Sequence, residues 1–353
     1  MVKFDLIMLG DHLPDPHTHR YHESQAERHR MWIDLGVHAE ELGFDAVWMG
    51  EHHASDYIVS SPQMILAAMA MRTRRVRLGT AVSILPNNDP VRLAEDFATL
   101  DLLSEGRAEI GFGSGFTEHT FRLFGQDIEQ SDAISAENLA LIQKLWNESD
   151  IRWEGRFRPP IHDLTIEPRT FSGRAIPISR ATAASLEIAR EAGRAGHRLM
   201  LMTVVRSFAD AKPLAAAYRE AYRAAGHDPA GMKVSGIAYI YVHRDGRRAR
   251  EFWNPYRDNY RAFARALTRV RGLTRGLREL YATIPNLMAE REGDFCGDPA
   301  EVTDRILRAY EDMGGFDSFI GYFDLGGLSR ADTFASVDLF AESVMPAVAA
   351  ALR

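Results

Sequence analysis

The feature that most constrains the fold is a regular alternation of short apolar runs with longer amphipathic segments along the whole chain. Short runs rich in apolar and β-branched residues predict strands, and segments with an apolar residue about every three or four positions predict helices. The predicted strands cover residues 2–9, 44–49, 76–85, 107–112, 176–179, 198–203, 232–242 and 316–322. Helical patterns separate most of these runs, which predicts parallel strands joined by crossover helices.

Two architectures fit this alternation, a closed (β/α)₈ barrel and an open doubly wound sheet. The number of strand–helix units and the absence of a polar linker favour the barrel, which commonly reaches 353 residues as one domain. We therefore predict an α/β fold, a (β/α)₈ TIM barrel, with a single domain over residues 1–353. The segments 151–170 and 244–297 do not fit the alternation, and they predict insertions after strands 4 and 7.

The composition argues against several classes of function. A net charge of −7 and a pI near 6.0 give no basic surface of the kind that binds nucleic acid. A single cysteine, Cys296, excludes an internal disulfide and a Cys-rich metal or iron–sulfur site. The first ten residues lack a cleavage site, and the apolar runs are shorter than the roughly 20 residues of a membrane span. We expect a cytoplasmic protein without a membrane partner.

Polar residues and glycines gather where the predicted strands end. In a barrel the active site lies at the C-terminal ends of the strands, so these positions are the candidates for function. They are Asp11 and His12, Glu51 to His53, Ala81 to Ser83, Gly111 to Gly115, Arg180 with Thr182, and Met202 with Thr203. This pattern predicts a pocket open to a large planar ligand.

Glu51, His52 and His53 form the sharpest short feature at these strand ends. One carboxylate and two imidazoles could perform acid–base catalysis, or bind a metal together with His12 or Asp11. Adjacent side chains at a strand end point in different directions, so two solvent-facing loop histidines are an equal alternative. The three interpretations remain open at this point.

Two further motifs suggest ligand contacts. The glycines between Gly111 and Gly115 make a poor dinucleotide fingerprint, because no helix follows them directly. Glycine has no Cβ, so backbone here could approach a flat ring, although a tight turn without a ligand is the alternative. The segment from Thr182 to Ser185 could open a helix beside Arg180 and bind an anion. A plain helix cap by Thr182 is the simpler interpretation.

Taken together in order, these segments resemble the bacterial luciferase-like monooxygenase family over nearly the whole chain. Each match is weak alone, and their order gives the resemblance its weight. The matching segments are 43–53 (GFDAVWMGEHH), 79–86 (GTAVSILP), 90–96 (PVRLAED), 103–107 (LSEGR), 111–116 (GFGSGF), 121–125 (FRLFG) and 297–302 (GDPAEV).

The resemblance implies a barrel that binds FMN at the C-terminal ends of its strands. It assigns His52 as the catalytic histidine near C4a of the flavin, with Glu51 shaping the site of the ring. It also implies a non-proline cis peptide bond between Ala81 and Val82 beneath the flavin.

The resemblance further assigns residues along the rest of the cofactor. Ser114 and Phe116 would lie along the ring and the ribityl chain, and Thr182 and Ser185, with Arg180, would hold the phosphate. The light-emitting enzymes carry Cys-Arg-Gly where this chain has Gly-Ser-Gly at 113–115. The phosphate must therefore be bound by other residues, and bioluminescence is not expected.

The resemblance implies a mechanism and partners. Reduced FMN would react with O₂ to give a C4a-(hydro)peroxide that oxygenates a small apolar or carbonyl-containing substrate. No second nicotinamide-binding domain is evident, so NAD(P)H would act directly or through a separate flavin reductase. A homodimer is expected from the family. The alternatives are F420-dependent hydride transfer on the same barrel and a non-catalytic flavin-binding subunit.

The substrate pocket is the least constrained part of the prediction. We assign His12, His53, Trp253 and Tyr256 to it, the last two from an aromatic stripe at helical spacing in the later insertion. The alternative for this stripe is core packing.

Four arginines, Arg257, Arg261, Arg265 and Arg269, are spaced four apart in the same insertion. On a helix they share one face, which could be an anion-facing surface such as a subunit contact or a solvated face.

Overall fold

The computed structural model describes residues 2–115, 117–271 and 293–353 of the chain. Eight parallel strands form a closed barrel, because each strand pairs with the next one along the chain and the last pairs with the first. The barrel strands are β1 (Lys3–Met8), β2 (Ala46–Met49), β3 (Arg77–Thr80), β4 (Ala108–Gly113), β5 (Ile178–Thr182), β6 (Arg198–Leu201), β7 (Val234–Val242) and β8 (Ser318–Tyr322). The predicted (β/α)₈ barrel is confirmed.

Helices surround the barrel and begin at the polar residues that the sequence provides as caps. Ser24 and Asp298 each form a capping box with the glutamate three residues later, and the Asp89 side chain accepts from two backbone amides behind Pro90. The helices are Gln25–Glu41, Pro62–Ala70, Pro90–Leu103, Glu118–Leu123, Ser131–Asn147, Leu186–Arg194, Phe208–Ala224, Gly246–Arg271, Pro299–Met313, Arg330–Leu339 and Met345–Ala351.

Side chains alternate along the strands and build two separate apolar clusters. Outward-facing residues such as Leu6 and Val47 pack against the helices, where Trp32 and Phe97 are fully buried. Inward-facing residues such as Ile7 fill the lumen of the barrel. Successive side chains of a strand point to opposite faces, so the two sets alternate. Both sets are apolar because both faces of the barrel strands are covered.

A layer of charged side chains closes the N-terminal end of the lumen. Glu109 on β4 pairs with Arg77 and Arg198 and accepts a hydrogen bond of 2.6 Å from the Ser179 hydroxyl. Asp5 on β1 accepts from neighbouring side chains, and burial raises the pKa of its carboxyl group to about 6. The lumen is thus filled below, and space for a ligand is left at the C-terminal ends of the strands.

Both predicted insertions are present. The first contains an antiparallel hairpin of Ile151–Trp153 and Ile161–Leu164. The second contains the helix Gly246–Arg271 and the strand Asp294–Gly297, which pairs with the last four residues of β7.

The arginine stripe of the second insertion does not form the exposed surface that the sequence suggested. Arg257 and Arg261 are buried, and both pair with Asp294, at 3.2 and 2.9 Å between nitrogen and oxygen. Arg265 is exposed, and the side chain of Arg269 lies outside the described residues. The helix is therefore joined to the strand beside β7 by an internal ion-pair cluster, and the prediction of an anion-facing face is wrong for its first two arginines.

The C-terminal helical segment, Arg330–Ala351, is long and apolar enough to cross a membrane by length and composition alone. Core helices of soluble proteins meet the same criterion. In this fold the segment packs on the barrel, where the ring of Phe340 contacts those of Phe4, Phe44 and Phe323.

Candidate active site

A cavity of about 1360 Å³ lies at the C-terminal end of the barrel. Small-molecule sites usually measure about 300–1000 Å³, so this cavity has room for more than one ligand of moderate size. It reaches outward between the helices Ser131–Asn147 and Leu186–Arg194. Most of the strand ends contribute to its wall, and these residues include Leu9, Glu51, His52, Ala81, Val82, Phe112, Gly113, Ser114, Arg180, Thr182, Met202 and Tyr239.

The carboxylate of Glu51 organises the loops at the end of β2 and β3. It is buried and accepts hydrogen bonds of 3.0 Å each from the backbone amide of Ile84, the side-chain amide of Asn88 and Nε2 of His53. Three donors on one carboxylate fix the loop that follows Ala81 and Val82. His53 is thereby held beside Glu51, and it lines a small neighbouring pocket rather than the main cavity.

His52 lines the main cavity, and its ring stacks on the ring of Tyr57 with 3.9 Å between centroids and 15° between planes. Burial, with a smaller contribution from His53, lowers the pKa of its imidazole to about 3. His52 is therefore neutral at pH 7, with one ring nitrogen able to donate and the other to accept a hydrogen bond.

The wall beside His52 is formed by backbone with little side-chain bulk. The structure contains the predicted cis peptide bond between Ala81 and Val82, and both residues line the cavity. Gly113 faces Val82 so closely that a Cβ would lie 3.1 Å from Cγ2 of Val82. Ser114 also lines the cavity and donates a 2.8 Å hydrogen bond to Asp132. Phe116 lies outside the described residues.

Arg180 is a buried cation in the cavity wall. Its guanidinium lies over the ring of Phe112 at 4.5 Å, and burial lowers its pKa below the usual value. The side chain is 7% exposed, and its Nη1 has no hydrogen-bond partner within the part of the chain that the structure describes. The carboxylates that line this region, including Asp132 and Glu191, are exposed to solvent. A buried cation of this kind favours an anionic ligand.

The segment after β5 differs from its predicted form. The strand extends through Thr182, and the helix begins only at Leu186 with Ser185 as its cap, so Thr182 is not the helix cap. The Thr182 hydroxyl instead accepts a 3.2 Å hydrogen bond from the amide of Ser185. Both residues line the cavity, as does Arg206, which donates to the carbonyl of Ala183 and was not identified from the sequence.

Three of the predicted substrate residues lie away from the cavity. His12 bonds the carbonyl of Glu23 at 2.8 Å, Trp253 is fully buried in the lumen cluster, and Tyr256 donates to Asp15 at 2.8 Å. None of them lines the cavity, so the structure corrects their assignment to a substrate pocket. The stripe was placed on the correct helix, but Tyr260, Ala264 and Leu267 are its cavity-lining residues.

Two aromatic residues that were not assigned to the pocket from the sequence also line it, Tyr57 and Tyr239. Their only sequence signal is position, since Tyr57 follows the Glu-His-His motif and Tyr239 lies near the end of a predicted strand. Over residues 2–115, 117–271 and 293–353, no three His, Cys, Asp or Glu side chains form a group that could hold a metal ion.

The profile of the luciferase-like monooxygenases matches residues 2–316, which is most of the chain. The chain belongs to this family. Luciferase-like monooxygenases are oxidoreductases, and the resemblance drawn from the sequence motifs is confirmed.

Two curated relatives illustrate the range of the luciferase-like monooxygenases. The chain is 29% identical to 4-hydroxyprotoasukamycin monooxygenase of Streptomyces nodosus subsp. asukaensis, over 90% of this chain and 86% of that protein. It is 26% identical to the alkanal monooxygenase alpha chain of Photorhabdus laumondii, over 92% and 93%.

Three solved structures share the fold. The monooxygenase RslO1 from Streptomyces bottropensis superposes with a TM-score of 0.82 at 28% identity and covers 98% of this chain and 99% of its own. The oxygenating constituent of 3,6-diketocamphane monooxygenase from Pseudomonas putida, in complex with FMN, gives 0.79 at 19% identity, with 99% of both chains covered. An F420-dependent secondary alcohol dehydrogenase gives 0.74 at 19%, with 98% and 99% covered.

Proposed function

We propose that this luciferase-like protein is an FMN-dependent monooxygenase that uses reduced flavin and O₂ on a small organic substrate. The observation that carries the proposal is the pairing, in one cavity wall, of a neutral His52 with a buried guanidinium, Arg180, that has an unpartnered nitrogen among the described residues. A ligand that satisfies both positions has a group that can share a hydrogen bond with a neutral imidazole at one end and an anionic group at the other.

The residues present fit FMN. Gly113 and the Ala81–Val82 peptide leave a surface on which a flat ring can lie, because a Cβ at Gly113 would narrow it. Arg180, Thr182 and Ser185 supply a guanidinium and two hydroxyls for a phosphate. Reduced FMN bound there would supply the electrons that activate O₂.

The protein's own contribution is to hold a proton and to exclude water. His52 is neutral, so one ring nitrogen holds a proton that it can donate in a hydrogen bond and the other can accept one. Its stacking on Tyr57 and the hydrogen bonds of Glu51 fix its loop. Apolar side chains such as Leu9, Met202 and Leu267 line the same space and limit the entry of water.

The remaining assignments are parts of the same proposal. The FMN-bound structural relative is described as an oxygenating constituent, which supports delivery of reduced flavin by a separate reductase. The homodimer expected from the sequence resemblance is part of the same proposal, and the unpaired, buried Cys296 is compatible with a cytoplasmic location.

The cofactor can be tested by reconstitution. Purified protein should bind FMN with a shifted flavin absorbance spectrum, and should consume O₂ when a flavin reductase and NADH supply reduced FMN. Turnover with F420 and no O₂ uptake with FMN would favour F420-dependent hydride transfer. Binding of FMN without oxygenation of any member of a substrate panel would favour a non-catalytic flavin-binding subunit.

A further inference from the structure

A pair of tyrosine hydroxyls faces the cavity beside His52. The hydroxyl oxygens of Tyr57 and Tyr260 lie 2.6 Å apart and form one hydrogen bond. Both side chains are buried, at 5% and 3% exposure, and both line the main cavity. Burial raises the pKa of each hydroxyl well above its ordinary value, so both remain protonated at any physiological pH.

The proton count of this pair leaves one donor unused. Two hydroxyls carry two protons, and the single hydrogen bond between them uses one. Within the described part of the chain, neither hydroxyl has another hydrogen-bond partner. A buried donor without a partner costs free energy comparable to a lost hydrogen bond, so the second proton favours a ligand that can accept it.

The pair is held rigidly in place. Tyr57 forms an isolated antiparallel bridge with Asp11 at the end of β1, and its ring is stacked on His52. The Tyr260 ring packs edge-on against Tyr239 and Tyr322, at 5.5 and 5.7 Å between centroids. A donor fixed in this way selects the position of an acceptor atom rather than following it.

The surroundings define the chemistry of the acceptor. Leu9, Met202 and Leu267 make this part of the cavity apolar. Asp11, which accepts from Tyr322 and from the amide of Gly326, is buried behind the tyrosines. A charged group on the ligand would lose its hydration in such apolar surroundings, whereas a neutral carbonyl oxygen needs only the one hydrogen bond that the tyrosines offer.

We propose that Tyr57 and Tyr260 form a substrate-recognition pair that donates one hydrogen bond to a neutral carbonyl oxygen of an apolar substrate. The bond places the carbonyl next to the ring of His52, because His52 and Tyr57 are stacked. The two tyrosines position the substrate, and their hydrogen bond determines which substrate atom would face the flavin. The reaction of the bound substrate rests on the proposed monooxygenase function. The recognition of the carbonyl oxygen does not.

The recognition can be measured with two small probes of nearly equal size. 1-Tetralone carries a carbonyl oxygen, and tetralin is the corresponding hydrocarbon. Isothermal titration of the FMN-loaded protein should give a dissociation constant about 3- to 10-fold lower for the ketone, the usual effect of one hydrogen bond between neutral groups. The double variant Tyr57→Phe, Tyr260→Phe should lose this preference and bind the ketone no more tightly than tetralin, with tetralin affinity unchanged.

The double variant is suited to this test because it removes both partners of the bond and leaves both rings, which is nearly neutral for stability. Tyr310→Phe, on the partly buried outer helix Pro299–Met313, is the matched control and should keep the ketone preference. Equal binding of the probes to the unaltered protein, or a ketone preference that survives in the double variant, overturns the proposal.

The same titrations separate this inference from the proposed function. If FMN does not bind, the FMN-dependent function fails, and the ketone preference can still be measured in the flavin-free protein. If FMN binds and the ketone preference is absent, only the recognition pair fails.

Discussion

Replacement of Arg180 by methionine should change cofactor affinity and protein stability in opposite directions. A hydrogen bond between charged partners contributes about 1.5–3 kcal/mol, which corresponds to a roughly 10- to 150-fold change in dissociation constant. Arg180→Met should therefore weaken FMN by this factor. Riboflavin lacks the phosphate, so its affinity should change little.

The flavin-free variant should at the same time become more stable. In the described residues no carboxylate forms an ion pair with Arg180, so methionine of similar length removes a buried charge that the ring of Phe112 and more distant carboxylates offset only in part. Such replacements stabilise proteins by about 1–3 kcal/mol. For 353 residues the unfolding entropy is about 0.74 kcal/mol per kelvin, which gives a rise in Tm of about 1–4 °C.

Two assays test the expected loss of FMN affinity and the expected rise in Tm. Flavin absorbance titrations give the dissociation constants of FMN and riboflavin, and calorimetry gives the Tm of the flavin-free protein. Arg223→Met, at an exposed position of the helix Phe208–Ala224, is the matched control and should alter neither quantity. Equal weakening of FMN and riboflavin, or unaltered affinity for both, would refute the placement of the phosphate at Arg180.

The remaining predictions concern turnover and the barrel. His52→Ala should leave FMN binding near normal and lower turnover by roughly 10²–10⁴-fold. Because burial lowers the His52 pKa to about 3, the ratio of unaltered to variant turnover should stay constant between about pH 6 and 9; a ratio that changes with an apparent pKa near 6.5 would contradict a neutral imidazole. Glu109→Gln, which removes the charge between two arginines, should lower the free energy of unfolding by about 3 kcal/mol in a denaturant titration. Glu118→Gln at an exposed ion pair is its control and should stay within about 0.5 kcal/mol; equal effects would count against the buried layer. Gly111→Ala would place a Cβ 2.0 Å from the carbonyl oxygen of Thr80, so we expect loss of folded protein by circular dichroism, and an unchanged melting curve would argue against this contact.

The barrel could be predicted from the sequence because its signals are local. Asp89 with Pro90, and Asp298 with Glu301, mark helix starts by their own hydrogen bonds, and the structure contains both. Thr182 was misplaced because a hydroxyl after a strand has the same local pattern whether it caps a helix or ends the strand. In the structure Thr182 ends the strand, because the pairing of β5 with β6 includes the pair of Thr182 and Leu201.

The site was predictable only where neighbouring strand ends supply it. Glu51, His52 and the Ala81–Val82 bond lie at neighbouring strand ends, so their proximity follows from strand order. Which face of the helix Gly246–Arg271 is buried depends on residues that are distant in the sequence. Asp294 turns Arg257 and Arg261 inward, and helical spacing alone does not indicate that partner.

The length of β7 has a consequence for how such a protein can diversify. The first part of this nine-residue strand closes the barrel against β6 and β8, and its last four residues pair with the strand Asp294–Gly297. These bonds join main-chain atoms, so they tolerate most changes of side chain. The helix Gly246–Arg271, which brings Tyr260 and Leu267 to the cavity, belongs to the insertion that this pairing anchors. Evolution can therefore exchange this cavity-lining module while the barrel stays closed.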